Sequence, residues 1–186
     1  VENEGDATPD NTSEEEPQNG LTGPCGATED DIVAWALTEN SDSLYCVTKT
    51  TGDTTSWRFY ENEPDAEEGS TTNEAQAYTL TISGEGAMAD YARNTTPWGL
   101  ALAAKLLNEE TTGNNNVSDF CSPHITRVVF TEDSNVTYIG KHAFRSTSIR
   151  TFEFPASVES IGDYAFIMCR QLKSITAAGS NANREF

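Results

Sequence analysis

Apolar positions in the last third of this chain recur in a repeating pattern. Ile125, Val128 and Phe130, then Val136, Ile139-Gly140 and Ala143-Phe144, are followed by Ile149, Phe152 and Phe154, then Val158, Ile161-Gly162 and Ala165-Phe166. A third unit opens with Leu172-Lys173-Ser174-Ile175, and the three openings lie 24 and 23 positions apart. A unit this short cannot bury an apolar face by itself, so the pattern predicts a solenoid in which neighbouring units stack. In the second unit, Phe152 and Phe154 share one face by two-residue alternation and Glu153 between them points to solvent. Pro155 lacks an amide donor and ends the strand. Val158 and Ile161 continue the core, Gly162 permits close backbone approach, and Asp163-Tyr164-Ala165-Phe166 reads as one helical turn that Asp163 caps. Stacking then superposes Phe144 on Phe166, Ile139 on Ile161 and Phe130 on Phe154. Each buried side chain of this size is worth roughly 1.5–3 kcal/mol.

Upstream the pattern shortens to alternation. Ile32 to Leu37 and Tyr78 to Ile82 read as strands, Ser56 to Tyr60 as a third, and Glu61 to Glu74 as an acidic loop. Gly84-Glu85-Gly86 reads as a turn after a strand. Pro97 to Leu107 predicts a helix with Thr96 as N-cap and Pro97 at the first position, apolar all round and therefore largely buried. The fold class is α+β: a disordered acidic tail over 1–22, a β-rich capping domain over 23–124 with one helix near 97–107, and about two and a half repeats over 125–186. The capping region has a physical task, since the end of a stack exposes strand edges and an apolar layer.

Charge narrows the partners. The chain of 186 residues carries 30 acids and 11 bases, a net charge of −19. Residues 1–120 hold 24 acids and 4 bases, a net −20, and residues 121–186 hold 6 acids and 7 bases, a net +1. Nucleic acid is excluded as a partner class, because binding phosphates needs clustered Lys and Arg. Val1 to Gly20 carries 7 acids and no base. Such a segment buries too little to offset roughly 1–2 kcal/mol of backbone entropy per residue and is expected to serve as a disordered spacer. No run is apolar enough for membrane insertion, and a start at Val1 reads as a mature or trimmed chain.

The repeats resemble the BspA-type leucine-rich repeats of bacterial surface proteins, whose units follow V-x-S-I-G-x-x-A-F-x-x-C-x-x-L-x-x-I. Val158 to Ile175 fits every position; in the preceding unit Tyr138 stands for the Ser, Thr147 for the Cys, and Ile149 falls one residue early. The resemblance extends upstream to Cys25-Gly26, Trp35-Ala36-Leu37, the segment Leu80 to Tyr91, and Pro97-Trp98. It leaves long insertions at about 38–77 and 100–123 outside the family pattern. It implies a bacterial extracellular or cell-surface location, a role in adhesion, and a free, buried thiol at Cys169.

Chemistry is sparse. Of Cys25, Cys46 and Cys121 one pair can be bridged, Cys25 with Cys46 being the favoured pairing, and no cysteine spacing matches a zinc site. His124 and His142 stand at repeat boundaries without the base and orienter that a thiol nucleophile needs. The carboxylates Glu61, Glu63, Asp65, Glu67 and Glu68 lack the spacing that converges oxygens on calcium. The chain is therefore read as non-enzymatic, with no cofactor and no metal.

The candidate ligand-binding residues are those that flank the inward apolar positions of the strands. They form two outward rows: Arg127, Thr151 and Ser174, then Val129, Glu153 and Thr176. Adjacent rungs lie about 4.7–4.9 Å apart. The leading function is a secreted or surface-exposed interaction or adhesion module whose partners are host or microbial surface proteins or glycans. The alternatives are a glycan-binding or spacer arm of a larger exported enzyme, or a purely structural piece. The third unit ends without an evident cap, which predicts an edge that continues or self-associates with another copy.

Overall fold

The computed structural model describes residues 21–107 and 117–179, so the expectations for Val1 to Gly20 and for the chain after Gly179 lie outside the described residues. At the centre is β6 (Ala77–Ala87), which buries Tyr78, Leu80 and Ile82 on one side. Along one edge it pairs antiparallel with β2 (Ile32–Asn40), from Ile32 opposite Glu85 to Asn40 opposite Ala77. β2 alternates as its sequence demands, with Val33, Trp35 and Leu37 buried and Ile32 and Ala34 exposed. Beyond β2 lies the short β1 (Thr22–Pro24), and Leu37 N–H donates to the Leu21 carbonyl at 2.9 Å.

On its other edge β6 takes two parallel partners in succession. Its first half pairs with β7 (Ile125–Phe130), setting Leu80 beside Val128 and Ile82 beside Phe130, and its last residues pair with β8 (Asn135–Ile139). The Gly84-Glu85-Gly86 segment is thus no turn after the strand. It lies inside β6, with φ of 91° and 103° at the two glycines, where the strand passes from β7 to β8. A Cβ at Gly84 would sit 1.7 Å from the Ile32 carbonyl oxygen, so no larger residue fits between β6 and β2 there.

The second repeat is laid against the first. β10 (Ser160–Ile161) pairs parallel with β8, Ile161 beside Ile139, and β9 (Thr151–Phe154) packs next to β7. β11 (Ser174–Ala177) continues the layer, pairing parallel with β9. After each of β8 and β10 the chain does not make the expected helical turn. Lys141–Ser146 and Asp163–Met168 are successions of tight turns in which alternate amides have different fates. Ala143, Arg145 and Thr147 donate three residues back within their own repeat. His142, Phe144 and Ser146 donate to the carbonyls of Asp163, Ala165 and Ile167 in the next one. The alternation requires left-handed backbone at every fourth position, found at His142 (φ 57°), Ser146 (φ 61°), Tyr164 (φ 61°) and Met168 (φ 63°). A helix would spend all these amides inside one repeat and leave none to bind the next.

The core is one cluster running from Cys25 and Trp35 to Phe154 and Ala165. An aromatic column links its parts. Phe144 lies 6.1 Å from Trp98, 5.0 Å from Phe152 and 5.6 Å from Phe166 between ring centroids, so Phe144 and Phe166 occupy neighbouring rungs. Phe130 makes its ring contact with Phe152, at 5.9 Å, rather than with Phe154. Trp98 comes from α1 (Pro97–Leu107), which begins where expected, the Leu100 amide donating to the Thr96 carbonyl at 3.0 Å. The helix is buried on one face only: Trp98, Gly99, Leu102 and Ala103 face the core and Leu100 is half exposed.

The insertion after β2 forms a separate antiparallel sheet of β3 (Tyr45–Thr51), β4 (Thr54–Tyr60) and β5 (Ser70–Glu74), in the order β4-β3-β5. The acidic loop therefore ends early, since its last residues are strand β5. A short helix, α2 (Val117–Cys121), fixes this sheet to the repeats. From α2, Phe120 meets Trp57 and Phe59 of β4 edge-on at 4.9 and 6.3 Å. On its other side Asp119 accepts from Arg145 at 2.9 and 3.2 Å and from Ser146 at 3.0 Å. All four cysteines are free. The favoured Cys25–Cys46 bridge does not form, because Cys25 is buried under the main sheet beside β2 while Cys46 sits in β3 of the separate sheet.

Candidate functional site

The side chains that face away from the core on β7 and β9 border a groove of about 860 Å³. Arg127, Val129, Thr151 and Glu153 all line it, as the alternation of the strands requires. Ser174 and Thr176 stand one rung further on, beside Thr151 and Glu153 in the β9–β11 register, and are not among the lining residues. At the other end β6 supplies a rung that the sequence reading missed: Thr79 lies beside Arg127 and Thr81 beside Val129. Its signal was the Leu80-x-Ile82 alternation, the same inward pair as Phe152 and Phe154, without a preceding repeat to mark it.

The groove is lined by charged and apolar side chains together. Val129 is 46% exposed, and Pro155 and Ala156 line the groove with it. Arg127 does not project freely. Its guanidinium grips Asp42 with two donors, Nε at 2.8 Å and Nη2 on the second oxygen. The carboxylate of Asp42 also accepts from Thr126 at 2.8 Å, and Asn40 donates to both Thr126 and Thr79. The hydrogen bond from Arg127 is the main cause that holds the Asp42 carboxyl below the usual range. The loop after β2 is thereby pinned over the first rung, and the arginine fork is fixed in position. Two hydroxyls at the groove, Thr131 Oγ1 and Ser134 Oγ, are closed off from solvent and have no hydrogen-bond partner among the described residues.

Nucleophilic chemistry has no support in these surroundings. Burial pushes the Cys25 and Cys121 thiols up to about 12, and raises Cys46 and Cys169 as well. Cys169 Sγ lies 3.0 Å from the Phe144 carbonyl, the same oxygen that accepts from Thr147 at 2.9 Å; the two residues hold equivalent places in successive repeats. His124 is buried, with Nδ1 2.8 Å from the Gln76 carbonyl, and burial lowers its pKa, so the ring is neutral and donates there. His142 stacks flat on Tyr164 at 5.4 Å. Among the described residues no group of three His, Cys, Asp or Glu side chains converges on a metal-sized space. Nor, among them, is any helix long and apolar enough to cross a membrane.

A sheet strand followed by a ladder of tight turns, stacked in parallel and presenting an outward row of polar side chains, defines a leucine-rich-repeat class of architecture. Residues 114–184 match the family model for the BspA type leucine rich repeat region (6 copies). That part of the chain is a BspA-type leucine-rich repeat region. A leucine-rich repeat protein from Eubacterium ventriosum ATCC 27560, known from a crystal structure, is similar over 55% of this chain at 25% identity, with a TM-score of 0.36. This chain spans only 23% of that protein. No curated protein matches the sequence.

Proposed function

We propose that this chain is a secreted or surface-exposed, non-enzymatic interaction module of bacterial origin, in which the stacked repeats form a short solenoid and the outer strand face binds a partner in adhesion. One observation carries the reading. Arg127, Val129, Thr151 and Glu153 line a single groove in which the half-exposed Val129 and the Asp42-held Arg127 guanidinium stand together, the mixture of apolar and fixed polar groups that interaction sites use. The repeat family supports it, because stacked repeats create extended surfaces used for binding. The raised thiol pKa values and the neutral, buried His124 support the non-enzymatic part.

Binding of the purified chain to immobilised extracellular-matrix proteins, to whole microbial cells and to a glycan array tests this directly. Val129→Glu combined with Thr151→Arg should abolish binding to the protein ligand, while Leu100→Glu on α1, outside the groove, should leave it intact. Binding confined to the glycan array would favour the glycan-binding arm of a larger exported enzyme. Silence on all three surfaces would leave a structural role.

A further inference from the structure

A second cleft, unrelated to the strand face, lies between β4 and the turns of the repeats, with a volume of about 880 Å³. It belongs to the insertion over 38–77 that the repeat pattern leaves unexplained. Three independent features of the cleft concern the same kind of ligand.

The first is an open strand edge. β3 is the middle strand of its sheet, and the Ala75 amide donates to the Leu44 carbonyl, so Leu44, Cys46 and Thr48 direct their backbone groups to β5. Tyr45, Val47 and Lys49 then face β4, bonding to Tyr60, Arg58 and Ser56. The backbone groups of Thr55, Trp57 and Phe59 are left pointing outward along the free edge of β4. Gln171, a cleft residue from the second repeat, donates from Nε2 to the Phe59 carbonyl at 3.2 Å, which places this edge in the cleft. The same amide's Oε1 is buried and has no partner among the described residues.

The second feature is charge. Of the chain's 11 bases, four, Arg58, Arg93, Arg170 and Lys173, line this one cleft in a protein with 30 acids. Three carboxylates line it as well: Asp119 is held by Arg145 at 2.9 Å and lies 4.0 Å from Arg93, Glu61 is held by Arg150 at 3.1 Å and lies 3.7 Å from Lys173, and Glu63 stands beside them, so Arg58 and Arg170 are the bases without a carboxylate partner among the described residues. The third is an apolar platform: Trp57 is 40% exposed, held edge-on by Phe120 at 4.9 Å, and Met168, which also lines the cleft, is 46% exposed. A fixed, half-exposed indole offers contact area at little entropic cost.

We propose that this cleft takes an extended, acidic peptide segment of a partner protein, added as a fourth strand to β4. Only a polypeptide supplies alternating N–H and C=O groups at the spacing of Thr55 and Trp57 and of the Phe59 amide, the Phe59 carbonyl being already taken by Gln171. Its carboxylates meet Arg58 and Arg170 and compete with Glu61 for Lys173, and its apolar side chains cover Trp57. This site goes beyond the interaction reading of the strand face, and neither depends on the other.

The test is NMR titration of the isotope-labelled full chain with a capped peptide alternating Glu and Val, beside its Lys–Val counterpart. The Glu–Val peptide should shift the amides of Thr55, Trp57 and Phe59 and bind roughly tenfold or more tightly than Lys–Val, with an affinity that falls as salt is added. Arg170→Glu with Lys173→Glu should weaken it by roughly tenfold. Thr55→Pro removes an outward-facing amide and the exposed Thr55–Thr50 hydroxyl contact, leaves the β3–β4 backbone ladder its inward amides, and should block pairing while β3 and β4 stay joined. Should that variant not fold, a Glu–Val peptide N-methylated at alternate residues makes the same cut on the ligand side and should not bind. The proposal is overturned if the two peptides bind equally or neither binds, or if Thr55→Pro or N-methylation leaves binding unchanged. It is also overturned if an anionic oligosaccharide binds there and Thr55→Pro leaves that binding intact, which would make the cleft a saccharide site.

Discussion

Replacing Phe144 by Ala removes the ring that joins α1 to both repeats, and its cost can be worked from its neighbours. The side chain is fully buried and touches the rings of Trp98, Phe152 and Phe166. A buried Phe→Ala change costs about 3–5 kcal/mol, combining lost transfer energy with the cavity left behind. Three aromatic partners, each worth about 0.5–1.5 kcal/mol beyond area, place this site near the upper end, at about 4–5 kcal/mol. For a chain of this length, about 2–4 °C per kcal/mol gives a Tm lower by roughly 8–20 °C. Phe166 is only partly buried and lies against two rings, at 5.6 and 4.7 Å, so Phe166→Ala should cost about half as much. Urea unfolding followed by tryptophan fluorescence measures both, with an unchanged m-value showing that stability rather than compactness has shifted. A loss under about 1.5 kcal/mol for Phe144→Ala, or an equal or greater loss for Phe166→Ala, would refute the claim that Phe144 is the central rung.

Three more outcomes follow from the same geometry. Asp119→Ala strips the buried Arg145 guanidinium, 7% exposed, of its two-pronged acceptor and should lower stability by about 2–4 kcal/mol in the same urea assay, whereas an effect near zero would mean that α2 does not anchor the repeats. Acidification should weaken the fold in two stages. His124 has a lowered folded pKa, so its contribution is complete above its ordinary 6.5 and is lost as the pH falls through the folded value; His124→Gln should remove this stage. Asp42 and Asp90, held below 3.8 chiefly by Arg127 and by the Lys141 amide, contribute fully above 3.8 and lose that contribution below it, and Asp42→Asn should shrink this second stage. Finally, thiol titration should count four free cysteines in denaturant and show slow reaction in the native state at pH 8, while fewer than four in denaturant would reveal a disulfide.

The repeats were legible because stacking forces equivalent residues to recur: Ile139 and Ile161, and Phe144 and Phe166, meet as their spacing demands. The alternation of β2 and the Pro97 start of α1 were legible for local reasons, a two-residue period and a residue suited to the first helical turn. What escaped has no local signal. The turn ladder places His142, Ser146, Tyr164 and Met168 in left-handed backbone without a glycine among them, since the amides committed to the neighbouring repeat offset the strain. β3 and β5 are rich in Thr and Ser and become strands only by flanking one another. In the strand-face groove the outward rows of β7 and β9 were readable, but the grip of Asp42 on Arg127 spans 85 positions, and the β6 rung depends on a strand that serves two sheet partners.

Successive repeats in this account are bound together through their turns, and hydrogen-bond scalar couplings in a labelled sample measure that directly. Couplings should appear from the Phe144 amide to the Ala165 carbonyl, from Ser146 to Ile167, and from Gly162 to Ile139, across distances of 2.8, 2.9 and 2.8 Å. Couplings confined instead to pairs within residues 141–147 and within 163–169, as in isolated helical turns, would contradict the stacking on which the proposed binding face rests.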